Sequence, residues 1–262
     1  MQKNLTCPRC GEKKLWSIRR GKLRCSACRY EWTLGRLPLQ LERREWQKLL
    51  HWFLRGLPAR AIAQETGLHH QRVFRALTYV RLAMQKDIPD VFSGTVEVDE
   101  TYLGGQWKNK RLSERKTGSK RGRGTKKTPV FGILCRGGKV WAKIVPDVEA
   151  KTLLPLITRQ VEPGSTVCSD TWKSYTGIAA KGYVHRLVKH QESQYSDSKG
   201  NHINGLEGFW GYLKRRLAAK GGIRREKLPL YLTEYVWRYN HRNETIESQK
   251  KQLHKLLEGV SI

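Results

Sequence analysis

Two sets of residues in this chain have the types and spacing to do chemistry. The first is Cys7, Cys10, Cys25 and Cys28, which form two CxxC pairs, CPRC and CSAC, 14 residues apart. Two such pairs present four thiolates to one tetrahedral zinc ion. Gly11 follows the first pair, where the backbone must turn back so that its amides face the sulfurs. Two disulfides or a redox motif are the competing readings. An intracellular chain without a thioredoxin-like setting argues against both. Cys135 and Cys168 stand alone in apolar strands and read as small buried hydrophobes.

The second set is acidic. The stretch VEVDETYLGG, residues 96–105, reads as a strand but carries Glu97, Asp99 and Glu100. The whole chain has 23 acidic residues against 51 basic ones, so three acids in one valine-rich strand need a reason. In strand alternation Glu97 and Asp99 share one face, and Val96 and Val98 the other. A second aspartate, Asp170, ends the short apolar run STVCSD. A third acid, Glu207, lies in INGLEGFWGYLKRRLAAK. There Ile203, Leu206, Trp210, Leu213 and Leu217 recur at helical spacing as a buried stripe. Asn204, Glu207, Gly211 and Lys214 form a neighbouring stripe, which puts Glu207 beside the buried face. Lys214, two turns on, can reach a phosphate. A solvated helix acid is the commoner fate of any one Glu, but this helix is otherwise basic. Carboxylates are hard oxygen ligands suited to Mg2+ or Mn2+.

Several elements must position these groups. Residues 1–35 read as a zinc ribbon with Trp16, Tyr30 and Trp32 as its small apolar core. Residues 36–85 read as a small all-α domain. In it ARAIAQETGLHHQRVFRAL gives a helix, a turn at Gly67 and a second helix, a helix-turn-helix pattern. His70, Gln71, Arg72 and Arg75 would lie at the start and outer face of that second helix, where base edges and phosphates are reached. A purely structural three-helix module is the bland alternative. Residues 86–94 read as a linker. From 95 to 243 the texture is α/β. Three strands are followed by a helix with Pro155 inside, a strand ending in Asp170, a short helix, a strand and two further helices. The Gly137–Gly138 pair marks a hairpin. The basic stretch 106–128 reads as a phosphate-tracking or disordered loop. A last amphipathic helix covers 244–262. The strand and helix order is that of a ribonuclease-H-like domain, in which carboxylates from the first strand, the fourth strand and a late helix converge.

The formal net charge is +28, which suggests a polyanionic partner, most simply nucleic acid. No apolar run approaches a membrane span, and the N-terminus lacks the apolar core of a signal peptide. These features predict a protein inside a cell, in the cytoplasm, with no membrane partner.

The motifs CPRCG, CSAC, VEVDETYLGG, VCSDTWKSY, HINGLEGFWGYLKRRL and YLTEYVWRYNHR, in this order, span essentially the whole chain. In them the chain resembles insertion-sequence transposases of the DDE class, in the ISXO2-like, Merlin-related group. That resemblance implies that Asp99, Asp170 and Glu207 are a catalytic triad holding two divalent metal ions, Mg2+ or Mn2+, with Lys214 a basic position after the Glu. It implies structural Zn2+ on the four cysteines. It also implies double-stranded DNA as partner, both the element's terminal inverted repeats and target DNA, and a homo-oligomer on that DNA. The reaction would be DNA nicking and strand transfer. A non-catalytic DNA-binding regulator would keep the ribbon and helix-turn-helix but need no acid triad. A ribonuclease acting on hybrids would share the metal site but not the two N-terminal modules.

Overall fold

A computed structural model describes residues 6–7, 9–19, 22–33, 37–89, 91–104, 127–170, 175, 177–188 and 204–258. Most of the basic stretch 106–128, the segment 171–174 that was expected to open a short helix, and Ile203 lie outside the described residues. The chain divides into two compact units. One comprises 1–87 with 241–262, and the other 88–240.

The first unit opens with a three-stranded antiparallel sheet: β1 (Leu15–Ile18), β2 (Lys22–Cys25) and β3 (Glu31–Thr33), in the order β1-β2-β3. Its aromatic residues differ from expectation. Trp16 is 39% exposed, with the Arg29 guanidinium 4.8 Å above its ring. Tyr30 and Trp32 stack on each other at 5.9 Å. Among the described residues no second layer buries Trp16, and the ring takes a cation as its cover.

Three helices follow: α1 (Arg43–Leu54), α2 (Ala59–Thr66) and α3 (His70–Gln85). Leu49, Leu50, Phe53, Leu54, Ile62, Val73 and Leu77 recur at helical spacing and are all buried. Glu42 and Glu45 close a reciprocal capping box at the start of α1. Gly67 ends α2 at φ +71°, the left-handed cap that separates α2 from α3. The final helix of the chain, Ile246–Leu257, packs on α1 and α3. The sequence division left this segment as a separate C-terminal element. Its buried face, Leu253, His254 and Leu257, lies in the same unit as those helices. The chain leaves this unit after Asp87 and returns at His241, and these two residues are joined. His241 Nε2 lies 3.1 Å from Asp87 Oδ2, and its Nδ1 2.6 Å from Glu244 Oε1.

The second unit is built on five strands: β4 (Thr95–Leu103), β5 (Thr128–Cys135), β6 (Val140–Ile144), β7 (Thr166–Ser169) and β8 (Val184–Leu187). Their order is β6-β5-β4-β7-β8. β4, β5 and β6 are antiparallel neighbours, while β7 lies parallel to β4 and β8 parallel to β7. This is the ribonuclease-H-like arrangement. One face of the sheet packs Val96, Val98, Phe131 and Ile133 against Leu153 and Ile157 of α4 (Ala150–Gln160). Pro155 sits inside α4 without breaking it. The other face packs Leu103, Val130, Leu134 and Val140 against α5 (Asn204–Ala218) and α6 (Leu228–Asn240). The buried stripe of α5 is Leu206, Phe209, Trp210 and Leu213. The wheel missed Phe209, which is drawn inward by the rings of Tyr212 and Tyr239.

Candidate active site and metal centre

β4 is the hub of the second unit's polar chemistry. Its alternation sends Glu97 and Asp99 to the face covered by α5, and Glu100 to the face covered by α4. Each acid meets a different partner. Glu97 is buried, accepts a 2.9 Å hydrogen bond from the Leu206 backbone N–H, and has the Arg136 Nε at 3.7 Å. It therefore caps α5 from the sheet, a carboxylate at the positive end of a helix dipole. Glu100 accepts a 2.6 Å hydrogen bond from the Tyr175 hydroxyl. Burial first, then the Glu100 charge, holds that phenol protonated well above its usual range. Glu97 and Glu100 thus have structural partners that local sequence does not reveal.

Asp99 accepts a 3.0 Å hydrogen bond on Oδ2 from the Trp210 indole N–H. Burial, then the charges of Glu100 and Asp170, push its carboxyl up to about 7, against the opposing pull of the Glu100 amide and of Trp210. A carboxylate held this high by desolvation and like charge favours any cation that can replace the proton. Asp170 follows β7 immediately. The end of that strand is fixed by Ser169, whose hydroxyl lies 2.8 Å from His185 Nε2 on β8. Lys214 lies within electrostatic reach of Asp99. Partial burial lowers its pKa first, the Asp99 charge raises it, and Lys127 lowers it again.

Glu207 is exposed in the first turn of α5. Asp99, Asp170 and Glu207 do not form a group of converging oxygens among the described residues. As carboxylates they are nevertheless the hard oxygen donors that suit divalent cations.

The cysteines do converge. The Sγ atoms of Cys7, Cys10, Cys25 and Cys28 all lie within 4.8 Å of one another, with Cys7–Cys28 at 3.6 Å and Cys10–Cys25 at 3.5 Å. Sulfurs ~2.3 Å from a central zinc stand ~3.8 Å apart in a tetrahedron, whereas a disulfide needs ~2.05 Å. The spacing fits a metal and not a bridge. The Arg9 and Cys28 amides donate to the Cys7 and Cys25 sulfurs, each at 3.4 Å. Burial pushes the Cys25 thiol up, but the Cys28 amide and the Cys10 thiol outweigh it and bring it down to about 7. The chemistry of the donor set is that of structural Zn2+.

The proposed DNA-reading residues of α3 separate into two groups. Gln71 and Arg75 are exposed on the outer face, and His70 is half-buried. The Arg72 guanidinium turns back and donates to the carbonyls of Leu39 at 3.0 Å and Gln40 at 3.3 Å. Leu39 and Gln40 both hold positive φ, 61° and 52°, so Arg72 braces a strained turn. Phe74, 44% exposed beside Gln71 and Arg75, was not singled out from sequence.

A ribonuclease-H-like sheet behind a four-cysteine ribbon defines a class of DNA-processing proteins, and the comparisons with known proteins agree. Residues 91–240 match the ISXO2-like transposase domain, and residues 2–31 match the transposase zinc-ribbon domain. The chain belongs to the ISXO2-like transposase family. It is 39% identical over 121 residues to an uncharacterized transposase-like protein of Haemophilus influenzae, covering 46% of this chain and 95% of that one. Among solved structures it is similar to the catalytic core of BIV integrase, at 17% identity and TM-score 0.36, over 59% of this chain and 87% of that one. It is also similar to the Mos1 transposase of a pre-cleavage transpososome, at 12% identity and TM-score 0.31, over 89% and 83%. At those scores the strand order described above is the firmer guide to the fold. No helix among the described residues is long and apolar enough to cross a membrane.

Proposed function

We propose that this transposase binds the terminal inverted repeats of its element, nicks the DNA there, and joins the freed 3′-hydroxyl to target DNA. Asp99, Asp170 and Glu207 would hold Mg2+ or Mn2+. The observation that carries this reading is the Asp99 carboxyl, desolvated beside Asp170 and Glu100 and pushed up to about 7. Such a site is unfavourable for an isolated anion and favourable for an anion that holds a cation. When bound, divalent cations activate the attacking oxygen and offset charge on the leaving 3′-oxygen.

The chain's own residues supply position. Trp210 points to Asp99, and on the α5 wheel Glu207 and Lys214 lie to the same side of it, ~60° and ~40° away. Glu207 stands one turn before the contact and Lys214 one turn after. An acid toward the strand aspartates and a cation toward the scissile phosphate are thereby placed on one helix face. Lys214 would bind a non-bridging phosphate oxygen. In hydrolysis the P–O3′ bond breaks as the water oxygen bonds to phosphorus, leaving a 3′-hydroxyl and a 5′-phosphate. In joining, that 3′-hydroxyl takes the place of water.

Recognition of the element ends falls to the ribbon and to Gln71, Arg75 and His70 on α3. Phosphate contacts across this basic surface make binding salt-sensitive. Two ends must meet, so at least a dimer forms on DNA. The test is cleavage and joining of a labelled inverted-repeat end with Mg2+ or Mn2+, beside a gel shift of the same DNA. Asp99→Asn, Asp170→Asn and Glu207→Gln should each abolish both reactions and leave end binding near normal. Robust joining by Glu207→Gln would remove it from the triad.

A further inference from the structure

We infer that Trp210 is a positioning residue for Asp99: its indole N–H holds one carboxylate oxygen so that the other is kept for a divalent cation. This rests on reading Asp99 as a cation ligand.

Three independent features of the fold serve the one contact. The first is the bond itself, 3.0 Å from Nε1 to Oδ2, made by a ring that is only 4% exposed. A buried indole N–H needs an acceptor, and here the acceptor is the Asp99 carboxylate. The second is the seat of the ring. Gly132 is the residue directly across from Asp99 in the β4–β5 register. A Cβ at Gly132 would lie 2.6 Å from Cη2 and Cζ2 of Trp210. The missing side chain opposite Asp99 is therefore the space the indole occupies. Any other residue there would lift the ring off the strand.

The third feature fixes the helix that carries the ring. Glu97 accepts from the Leu206 N–H at 2.9 Å. Gly205 lets the helix come this close, because a Cβ there would lie 3.0 Å from Glu97 Oε2 and 3.2 Å from a Leu134 methyl. From Glu97 to Asp99 the strand advances ~6.7 Å, and from Leu206 to Trp210 the helix advances ~6 Å. The two contacts fall in step, so α5 cannot slide or turn along β4 without breaking one of them. Glu97, which could be mistaken for a ligand, is occupied as a cap. Simple apolar filling would need the ring but not its N–H. A donor aimed at one oxygen of a metal-binding carboxylate fixes its rotamer and orients the other oxygen.

The test uses the full chain with its zinc in place and no DNA. Mn2+ binding is followed by the electron paramagnetic resonance of the free ion, and thermal midpoints are recorded without added Mn2+ or Mg2+. Trp210→Phe keeps an aromatic ring against the strand and removes the donor, together with the outer indole atoms that reach the Gly132 seat. It should weaken Mn2+ binding roughly 10- to 100-fold, and raise the metal concentration needed for cleavage, in protein that remains folded. Gly132→Ala, which displaces the ring without deleting it, should weaken binding in the same direction. If Asp99→Asn binds Mn2+ as wild type does, the ligand reading fails and the inference with it. If Asp99→Asn loses binding but folded Trp210→Phe keeps wild-type affinity, the ligand reading stands and the positioning role is overturned. A second measurement needs no variant. The Trp210 indole N–H resonance of the wild-type protein should shift in step with Mg2+ titration, and a resonance that does not move overturns the inference.

Discussion

Replacing Asp99 by Asn should make the protein more stable at pH 8 when no divalent cation is added. The folded carboxyl is pushed up to about 7 from an ordinary 3.8, by burial first and then by Glu100 and Asp170. Between those two values the folded chain keeps a proton that the unfolded chain gives up. The group's contribution to stability therefore falls as pH rises from about 4 to about 7, and is flat above that. About three pKa units at 1.36 kcal/mol each set a ceiling of ~4 kcal/mol. Asp99 is partly exposed, and solvent relaxation brings a realistic figure to ~2 kcal/mol. Asn removes the charge and keeps a carbonyl oxygen for the Trp210 N–H. The assay is urea unfolding of wild type and Asp99→Asn at pH 5 and pH 8. It omits chelator, so that the ribbon keeps its metal. The variant should gain ~2 kcal/mol over wild type at pH 8 and a smaller amount at pH 5, where only part of the window between about 4 and about 7 has been crossed. Mg2+ at ten times its dissociation constant should then restore ~1.4 kcal/mol to wild type and nothing to the variant. Equal pH dependence of the two proteins would refute the claim that Asp99 is held as a desolvated anion.

Two further outcomes follow from the first unit. Cys25→Ser should release the bound zinc and unfold the ribbon while the far-ultraviolet signal of the 88–240 unit persists; elemental analysis that finds no zinc in wild-type protein purified without chelator would remove the metal centre. Arg75→Ala should cost about 1–3 kcal/mol of discrimination between element-end and random duplex if it meets a base edge. Arg72→Ala, whose guanidinium is already held by the Leu39 and Gln40 carbonyls, should mainly lower the melting temperature; the reverse pattern in gel shifts and thermal scans would mean that Arg72 leaves its turn to read DNA.

The elements were largely legible because their signals are local. CxxC spacing, the apolar positions of α1 to α3 and the strand order of the second unit are each written within a few residues or in simple succession. The Trp16 environment was not, because local sequence cannot say whether a second layer covers the ring. Arg72 was placed on the DNA-reading face by helical spacing alone, which is blind to two carbonyls 33 and 32 residues earlier in the chain. Those carbonyls are available only because Leu39 and Gln40 adopt positive φ, which their residue types do not announce.

The acids of β4 show where a pattern stops being informative. Alternation fixes which face each acid takes, and that much the structure repeats. It cannot supply the partners, which lie 109, 111 and 75 residues away: the Leu206 amide for Glu97, the Trp210 indole for Asp99 and the Tyr175 hydroxyl for Glu100. Glu97 and Glu100 each tie down a segment that follows or carries a candidate catalytic residue. Glu97 holds the helix bearing Glu207 and Lys214, and Glu100 holds the chain just after Asp170. Asp99 stands between them with the raised pKa. In a chain with 51 basic residues, three acids on one strand are not there for solubility. Two of them anchor the elements that carry the other candidate catalytic groups. Replacing either anchor should therefore impair catalysis through geometry, without removing a ligand.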